Sequence, residues 1–115
     1  MAAMRMTFSM VQVAVSVMDA PAAQHYGYAL RRQTGLATGV LYPILGRMAE
    51  AGWLTVTDEP VADADGDRPL RRYYTVTDDG RRELTAVLEK ARVDRRFESL
   101  FRTPSAGTDA KSGQL

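Results

Sequence analysis

The chain contains no cysteine, which excludes a disulfide framework and a thiolate metal site. Its one histidine, His25, is too few for a histidine metal cluster, and no serine stands in a nucleophile-elbow setting. No glycine-rich phosphate loop occurs. The acidic residues are concentrated in one loop and at helix starts, where solvation and capping account for them. Neither enzyme chemistry nor a cofactor nor a metal is expected. Charge of one sign is also missing: 15 basic residues against 14 acidic give a net charge of +1. Any affinity for nucleic acid must then come from local clustering rather than bulk charge. Lysine occurs only at Lys90 and Lys111, so the basic side is almost wholly arginine. Arginine's planar fork suits phosphates and guanine edges, although genomic base composition produces the same bias. Long hydrophobic runs are absent too. Ser9, Gln12 and Ser16 interrupt the apolar N-terminal stretch and Asp19 closes it, too early for a membrane-spanning helix and without the layout of a signal peptide. A cytoplasmic protein with no membrane association is expected.

What the chain does have is enough for one domain: 115 residues, 45% of them hydrophobic and 25% charged, an ordinary globular balance. It is organised around T-G-V-L-Y-P-I-L-G-R-M-A-E-A-G-W-L, residues 38–54. Val40, Leu41, Ile44, Leu45, Met48 and Ala49 make one apolar helical stripe. The other face carries Gly39, Tyr42, Pro43, Gly46 and Arg47, with Thr38 ahead as N-cap. That face is small and flat, with one aromatic hydroxyl and one guanidinium, so it can press into a groove. Gly52 stops the helix, and a strand pattern starts at once. A lean helix followed directly by a strand is what a winged helix-turn-helix needs. An amphipathic surface helix meets the same pattern.

The flanking segments decide between these. Residues 6–19 are apolar all round the helical wheel, which requires cover on more than one side: the domain's own core on one, a partner subunit on the other. Asp19-Ala20-Pro21 breaks that helix. A second helix over residues 22–34 turns Tyr26, Ala29 and Leu30 inward and Arg31 and Arg32 outward, and Gly35 ends it. Two helices joined by a short glycine-containing turn are the helix-turn-helix pattern. Two strand-like segments follow, residues 53–58 and 70–76, separated by the acidic, turn-rich P-V-A-D-A-D-G-D-R-P. Alternation in the second puts Arg71, Tyr73 and Thr75 on one face and Leu70, Arg72, Tyr74 and Val76 on the other. Leu70, Tyr74 and Val76 are expected in the core, with Arg68, Arg71 and, near the strand's exposed start, Arg72 reaching outward. Thr77 caps the last helix, where Asp78 and Asp79 suit the N-terminal dipole. Leu84, Val87, Leu88 and Ala91 form one stripe of it, and Val93, Phe97, Leu100 and Phe101 a second in another register. The first half should pack on its own domain and the second offer its phenylalanines to an interface. The fold class is thus mainly α with a small β-hairpin. The domain occupies residues 1–102, with a C-terminal helix over about 78–102, and a disordered tail occupies residues 103–115.

Three pieces in this order, H-Y-G-Y-A-L, then T-G-V-L-Y-P-I-L-G-R-M-A-E-A-G-W-L, then R-P-L-R-R-Y-Y-T-V-T-D-D-G-R-R-E-L, resemble the PadR-type transcriptional regulators. The resemblance spans about residues 8–88. Its specific parts are L-Y-P in the recognition helix and R-R-Y-Y-x-x-T-x-x-G after the wing. It implies a winged helix-turn-helix with a single C-terminal dimerisation helix, as in the smaller branch of the family. It also implies a homodimer and repression at nearby promoters through a palindromic double-stranded operator. Two departures stand out. Gly46 takes a place usually held by a larger polar or basic residue. The wing loop, with Asp63, Asp65 and Asp67, is acidic, so wing contacts should come from stem arginines.

On this reading the DNA-binding residues are His25 and Tyr28 at the second helix, Thr38, Gly39, Tyr42, Pro43 and Arg47 on the recognition helix, and Arg68, Arg71 and Arg72 on the wing. Thr38 and Tyr42 supply hydroxyls, Gly39 permits close approach, and the arginines hold phosphates. Structural alternatives stay open: Tyr42 bracing the second helix, Arg47 pairing with Glu50 or Glu83, and Pro43 either marking the helix start or bending its first turn. The dimer interface is expected from Met6, Met10 and Val13 on the first helix and Val93, Phe97, Leu100 and Phe101 on the last. Some relatives bind a small aromatic effector at such an interface, for which Phe97 and Phe101 are better candidates than Trp53. A second function fits the same residues: a winged domain without DNA binding that engages a protein partner through its distal C-terminal helix.

Overall fold

A computed structural model describes residues 4–60 and 71–101. The first helix, α1, runs over Phe8–Met18 and is capped by the Thr7 hydroxyl, which accepts from the Met10 N–H at 3.1 Å. It packs against three later helices and the middle strand of the sheet, and Met10, Val11, Val13, Ala14 and Val17 are buried. Most of the all-round apolar wheel is therefore covered within one chain, while Phe8 remains 44% exposed. Met10 and Val13, expected at a subunit interface, lie in the domain's own core, because the α1 axis is the centre around which the remaining helices and the sheet assemble.

The next segment departs from expectation. His25–Tyr26 is a short strand, β1, and α2 begins only at Gly27 and runs over Gly27–Thr34. Gly35, with φ 73°, ends it and donates its N–H to the Arg31 carbonyl at 2.9 Å. The recognition-type helix α3 occupies Thr38–Glu50. Its cap residue is Ala37, whose carbonyl accepts from Val40 and Leu41, so Thr38 is the first helical residue rather than the cap. Pro43 lies inside α3, which removes the reading in which it marks the helix start. Leu41, Ile44, Leu45 and Met48 are buried as the stripe requires, while Val40 is 42% exposed.

The wing consists of β2, Leu54–Asp58, and β3, Arg72–Val76, paired antiparallel from Leu54↔Val76 to Asp58↔Arg72. On its other side β3 pairs with β1 in the register His25↔Tyr74 and Tyr26↔Tyr73. The sheet thus has three antiparallel strands in the order β1-β3-β2, not the two of a plain hairpin. Arg68, Leu70 and the wing-loop aspartates lie outside the described residues, as do the last 14 residues with the expected disordered tail.

Helix α4 spans Asp78–Arg92, with Thr77 as its cap accepting from the Gly80 N–H at 2.8 Å. The long C-terminal helix expected to about residue 102 is broken after Arg92. Asp94 caps a 3₁₀ turn, Arg95–Phe97, and a short helix α5 follows at Glu98–Phe101. The break explains the two unmatched apolar stripes: the chain changes direction instead of serving two faces with one helix. Phe97 swings into the core, 1% exposed and 6.5 Å from the Phe8 ring, while Val93 at the break is 86% exposed. Phe97 accordingly joins Met10 and Val13 as an expected interface residue that the domain itself encloses.

Candidate nucleic-acid interface

The exposed face of α3 carries Thr38, Gly39, Tyr42, Pro43, Gly46 and Arg47, all solvent-accessible. Spacing places them there because the buried residues of the same helix claim the opposite side. Pro43 has no N–H to offer the Gly39 carbonyl one turn back, so an acceptor remains on this face. Among the described residues, neither Glu50 nor Glu83 forms an ion pair with Arg47. Its guanidinium is left to solvent or to an incoming anion.

Tyr42 is 38% exposed and serves two neighbours at once. Its ring edge and hydroxyl lie against Gly27, the first residue of α2: a methyl group at Gly27 would sit 2.9 Å from the Tyr42 Oη and 3.1 Å from Cε1. The bracing role raised from the sequence therefore coexists with an accessible edge. Beyond Tyr42 stands Tyr74 on β3, followed by Arg72 and Asp58. Burial holds the Tyr74 phenol above the ordinary tyrosine value, the Arg72 charge pulls it partly back, and Tyr42 adds to the rise. Arg72 Nε donates to Asp58 Oδ1 at 2.9 Å, both side chains remaining largely exposed, and this bond raises the Arg72 pKa further. Tyr74 itself is 5% exposed, a buried neighbour of both Tyr42 on α3 and Arg72 on the wing.

The other wing arginine does something different. Arg71 was expected to reach outward, but it is half-buried, with its guanidinium carbon 4.6 Å from the centre of the Tyr26 ring. Its backbone N–H donates to Glu59 Oε1 at 3.1 Å. Tyr26 also stands 6.0 Å from both Tyr28 and Tyr73, and Arg32 lies 6.0 Å from the Tyr28 ring. The alternation read along β3 is correct, yet Tyr26 of the neighbouring strand β1 stands on the same face as Arg71 and Tyr73 and holds the Arg71 guanidinium there. Tyr28, in the first turn of α2, is 49% exposed and available to a ligand. His25 is not: it is 9% exposed, and its Nε2 hydrogen bonds to the Ala20 carbonyl at 2.9 Å, turned away from the surface where a phosphate contact was expected.

Two residues important to this geometry were missed in the sequence. Gly27 hides inside the Y-G-Y run, where nothing marks it as the floor beneath Tyr42. Gly80 approaches the turn before β2 so closely that a methyl group there would lie 2.8 Å from the Trp53 carbonyl carbon. The T-x-x-G spacing carried this signal. Thr77 Oγ1 donates to the Gly52 carbonyl at 2.6 Å while accepting from Gly80, which fastens the wing base to α4. Trp53 is half-buried against the core. Two open grooves beside α1 and α2, of about 270 and 390 Å³, share Ser16, Asp19 and Gln33, and neither is lined by Trp53, Phe97 or Phe101, the side chains considered for an aromatic effector. Among the described residues no cluster of metal-ligating side chains occurs, and no helix is long and apolar enough to cross a membrane.

Comparison with known proteins places this geometry. No curated protein matches the sequence. Among solved structures, a PadR family transcription regulator from Clostridium difficile R20291 superposes with TM-score 0.62 at 19% identity, over 83% of this chain and 98% of that one. The smu.1704 protein of Streptococcus mutans UA159 gives 0.55 at 20% identity, over 88% and 98%. A PadR-like transcription factor from Bacteroides fragilis gives 0.56 at 16% identity, over 83% and 92%. At such identities these likenesses establish the winged-helix fold. The model of the transcriptional regulator PadR-like family matches residues 20–86, more than half of the chain. This chain is therefore a member of the PadR-like family, a family of transcriptional regulators and not of enzymes.

Proposed function

We propose that the protein is a homodimeric repressor that binds a palindromic operator in the cytoplasm, one recognition helix and one wing to each half-site. The observation that carries this reading is the exposed outer face of α3, with Tyr42 and Arg47 on it, together with the exposed Arg72 on the wing. Thr38 and Gly39 open α3, where a helix in the major groove meets base edges and phosphates. Tyr42 presents the exposed edge of its ring to a thymine methyl. Arg47 and Arg72 hold backbone phosphates, and Arg72 exchanges its bond to Asp58 for one to DNA. Tyr28 meets the backbone where α2 crosses it. Phosphate contacts give position and affinity; the α3 face gives sequence preference.

The dimer surface is drawn from what the core leaves accessible. Met6, Leu100 and Phe101 are half-buried, Val93 is exposed, and Phe8 beside them is 44% exposed. A two-fold dimer built on them sets its recognition helices about one DNA turn apart, ~34–36 Å.

Titration of the purified protein against its own upstream DNA and a shuffled control, at two salt concentrations, tests the reading. Preferential, salt-sensitive binding is expected, with log affinity falling by about 0.9 per phosphate contact per decade of salt. Equal and feeble binding to both DNAs overturns it and favours a protein partner at the distal C-terminal segment.

A further inference from the structure

Gly27 is a glycine without a backbone reason. The described glycines with positive φ are Gly35 and Gly52, so Gly27 adopts a conformation open to any residue. It opens a helix, where alanine has the higher propensity. The need is one of space. The position of a Gly27 side chain is already filled by Tyr42: a methyl group would be 2.9 Å from its Oη, 3.1 Å from Cε1 and 3.4 Å from Cζ. The neighbour that must give way is the far end of a flexible side chain and not backbone. At Gly39 and Gly46, on the same recognition surface, nothing lies within 4 Å. The constraint is thus specific to the pair.

Resting on the DNA-binding reading above, we infer that Gly27 is a positioning residue for Tyr42: its bare backbone docks the phenol at the start of α2 and so fixes the ring's exposed edge for recognition. Tyr42 is 38% exposed on α3, yet its hydroxyl end is held by another helix. A reader held in place from both ends loses little side-chain freedom on binding. Any side chain at Gly27 turns the ring away from α2 and changes what it presents to the groove.

The test is a double-mutant cycle on the full chain, with Gly27→Ala, Tyr42→Ala and the pair, read as affinity for native and shuffled upstream DNA and as melting temperature. Gly27→Ala is expected to weaken native DNA about tenfold and leave shuffled DNA nearly unchanged, with little change in melting temperature. In the Tyr42→Ala background the same change is expected to do nothing, because two residues that act as one unit are not additive. Equal effects of Gly27→Ala with and without Tyr42, or a fall in melting temperature with the native-to-shuffled ratio intact, overturn the inference. Should Gly27→Ala not fold, Tyr42→Phe carries the test: removing the hydroxyl that contacts Gly27 should weaken native DNA about tenfold, and wild-type affinity overturns the inference. Failure of the wild-type protein to prefer its own DNA is a separate result. It overturns the operator reading and, with it, this role for Gly27.

Discussion

At the start of α4, replacement of Gly80 by alanine puts a methyl group 2.8 Å from the Trp53 carbonyl carbon, 3.0 Å from its Cα and nearer still to its carbonyl oxygen. Ordinary carbon–carbon contact needs about 3.5–4.0 Å, so helix and turn must part by about 1 Å. Neither can move alone. The Trp53 carbonyl accepts from the Thr77 N–H at 3.0 Å, the Trp53 N–H donates to Met48 at 2.9 Å, and Thr77 Oγ1 donates to Gly52 at 2.6 Å. Overpacking costs about 1–3 kcal/mol, and loosening one of these bonds adds about 1 kcal/mol. Against this, alanine gains at most about 1 kcal/mol of helix propensity. A net loss of about 1–3 kcal/mol lowers the melting temperature of a domain this size by roughly 5–20 °C. Gly46→Ala is the internal control. Nothing stands within 4 Å of that position in mid-α3, so the same substitution should stabilise by about 0.8–1 kcal/mol. Thermal unfolding by circular dichroism reads both. Gly80→Ala melting at or above the wild-type temperature refutes the steric argument.

Phe97→Ala should cost about 3–5 kcal/mol in a denaturant titration, because the ring is enclosed by its own domain, whereas Val93→Ser should leave the midpoint of monomer unfolding nearly unchanged. Arg72→Ala should weaken native and shuffled DNA alike and reduce the salt slope by about one, and Asp58→Asn, which releases the Arg72 guanidinium from its carboxylate, should raise affinity. Alkaline stability should depend on Tyr74. Burial raises its folded pKa, so this contribution to stability is complete below the unfolded value of about 10 and is lost as pH rises through the folded one. Tyr74→Phe should flatten that alkaline decline in a pH series of melting temperatures.

Local pattern along the chain determined much of this molecule. The apolar spacing in residues 38–54 placed α3 and its buried stripe, and the same spacing left Tyr42, Pro43 and Arg47 exposed. Thr77 was legible as a cap because a cap needs only its own hydroxyl and the next turn. Alternation along residues 72–76 assigned both faces of β3 correctly, since the side-chain period of a strand is a local property. Membership of the family was readable for a related reason: its marker residues lie in short runs at set spacings.

What tertiary structure decided is which of these faces met a neighbour. β1 exists only because β3 offers it hydrogen bonds across a long sequence separation, and that pairing shortened α2, buried His25 and drew Arg71 onto Tyr26. Two apolar stripes out of register read, from the sequence, as one long helix with two tasks, whereas the chain breaks into separate helices. That the chain would break at Val93, and Phe97 turn inward rather than toward a partner, depended on the space left open beside α1. Gly27 and Gly80 matter for what approaches them from elsewhere in the fold, a phenol in one case and a backbone carbonyl in the other. Periodicity records which way a side chain points. Only the packed chain determines what stands in front of it, because close-packed contacts between distant segments are set by the three-dimensional arrangement of the whole.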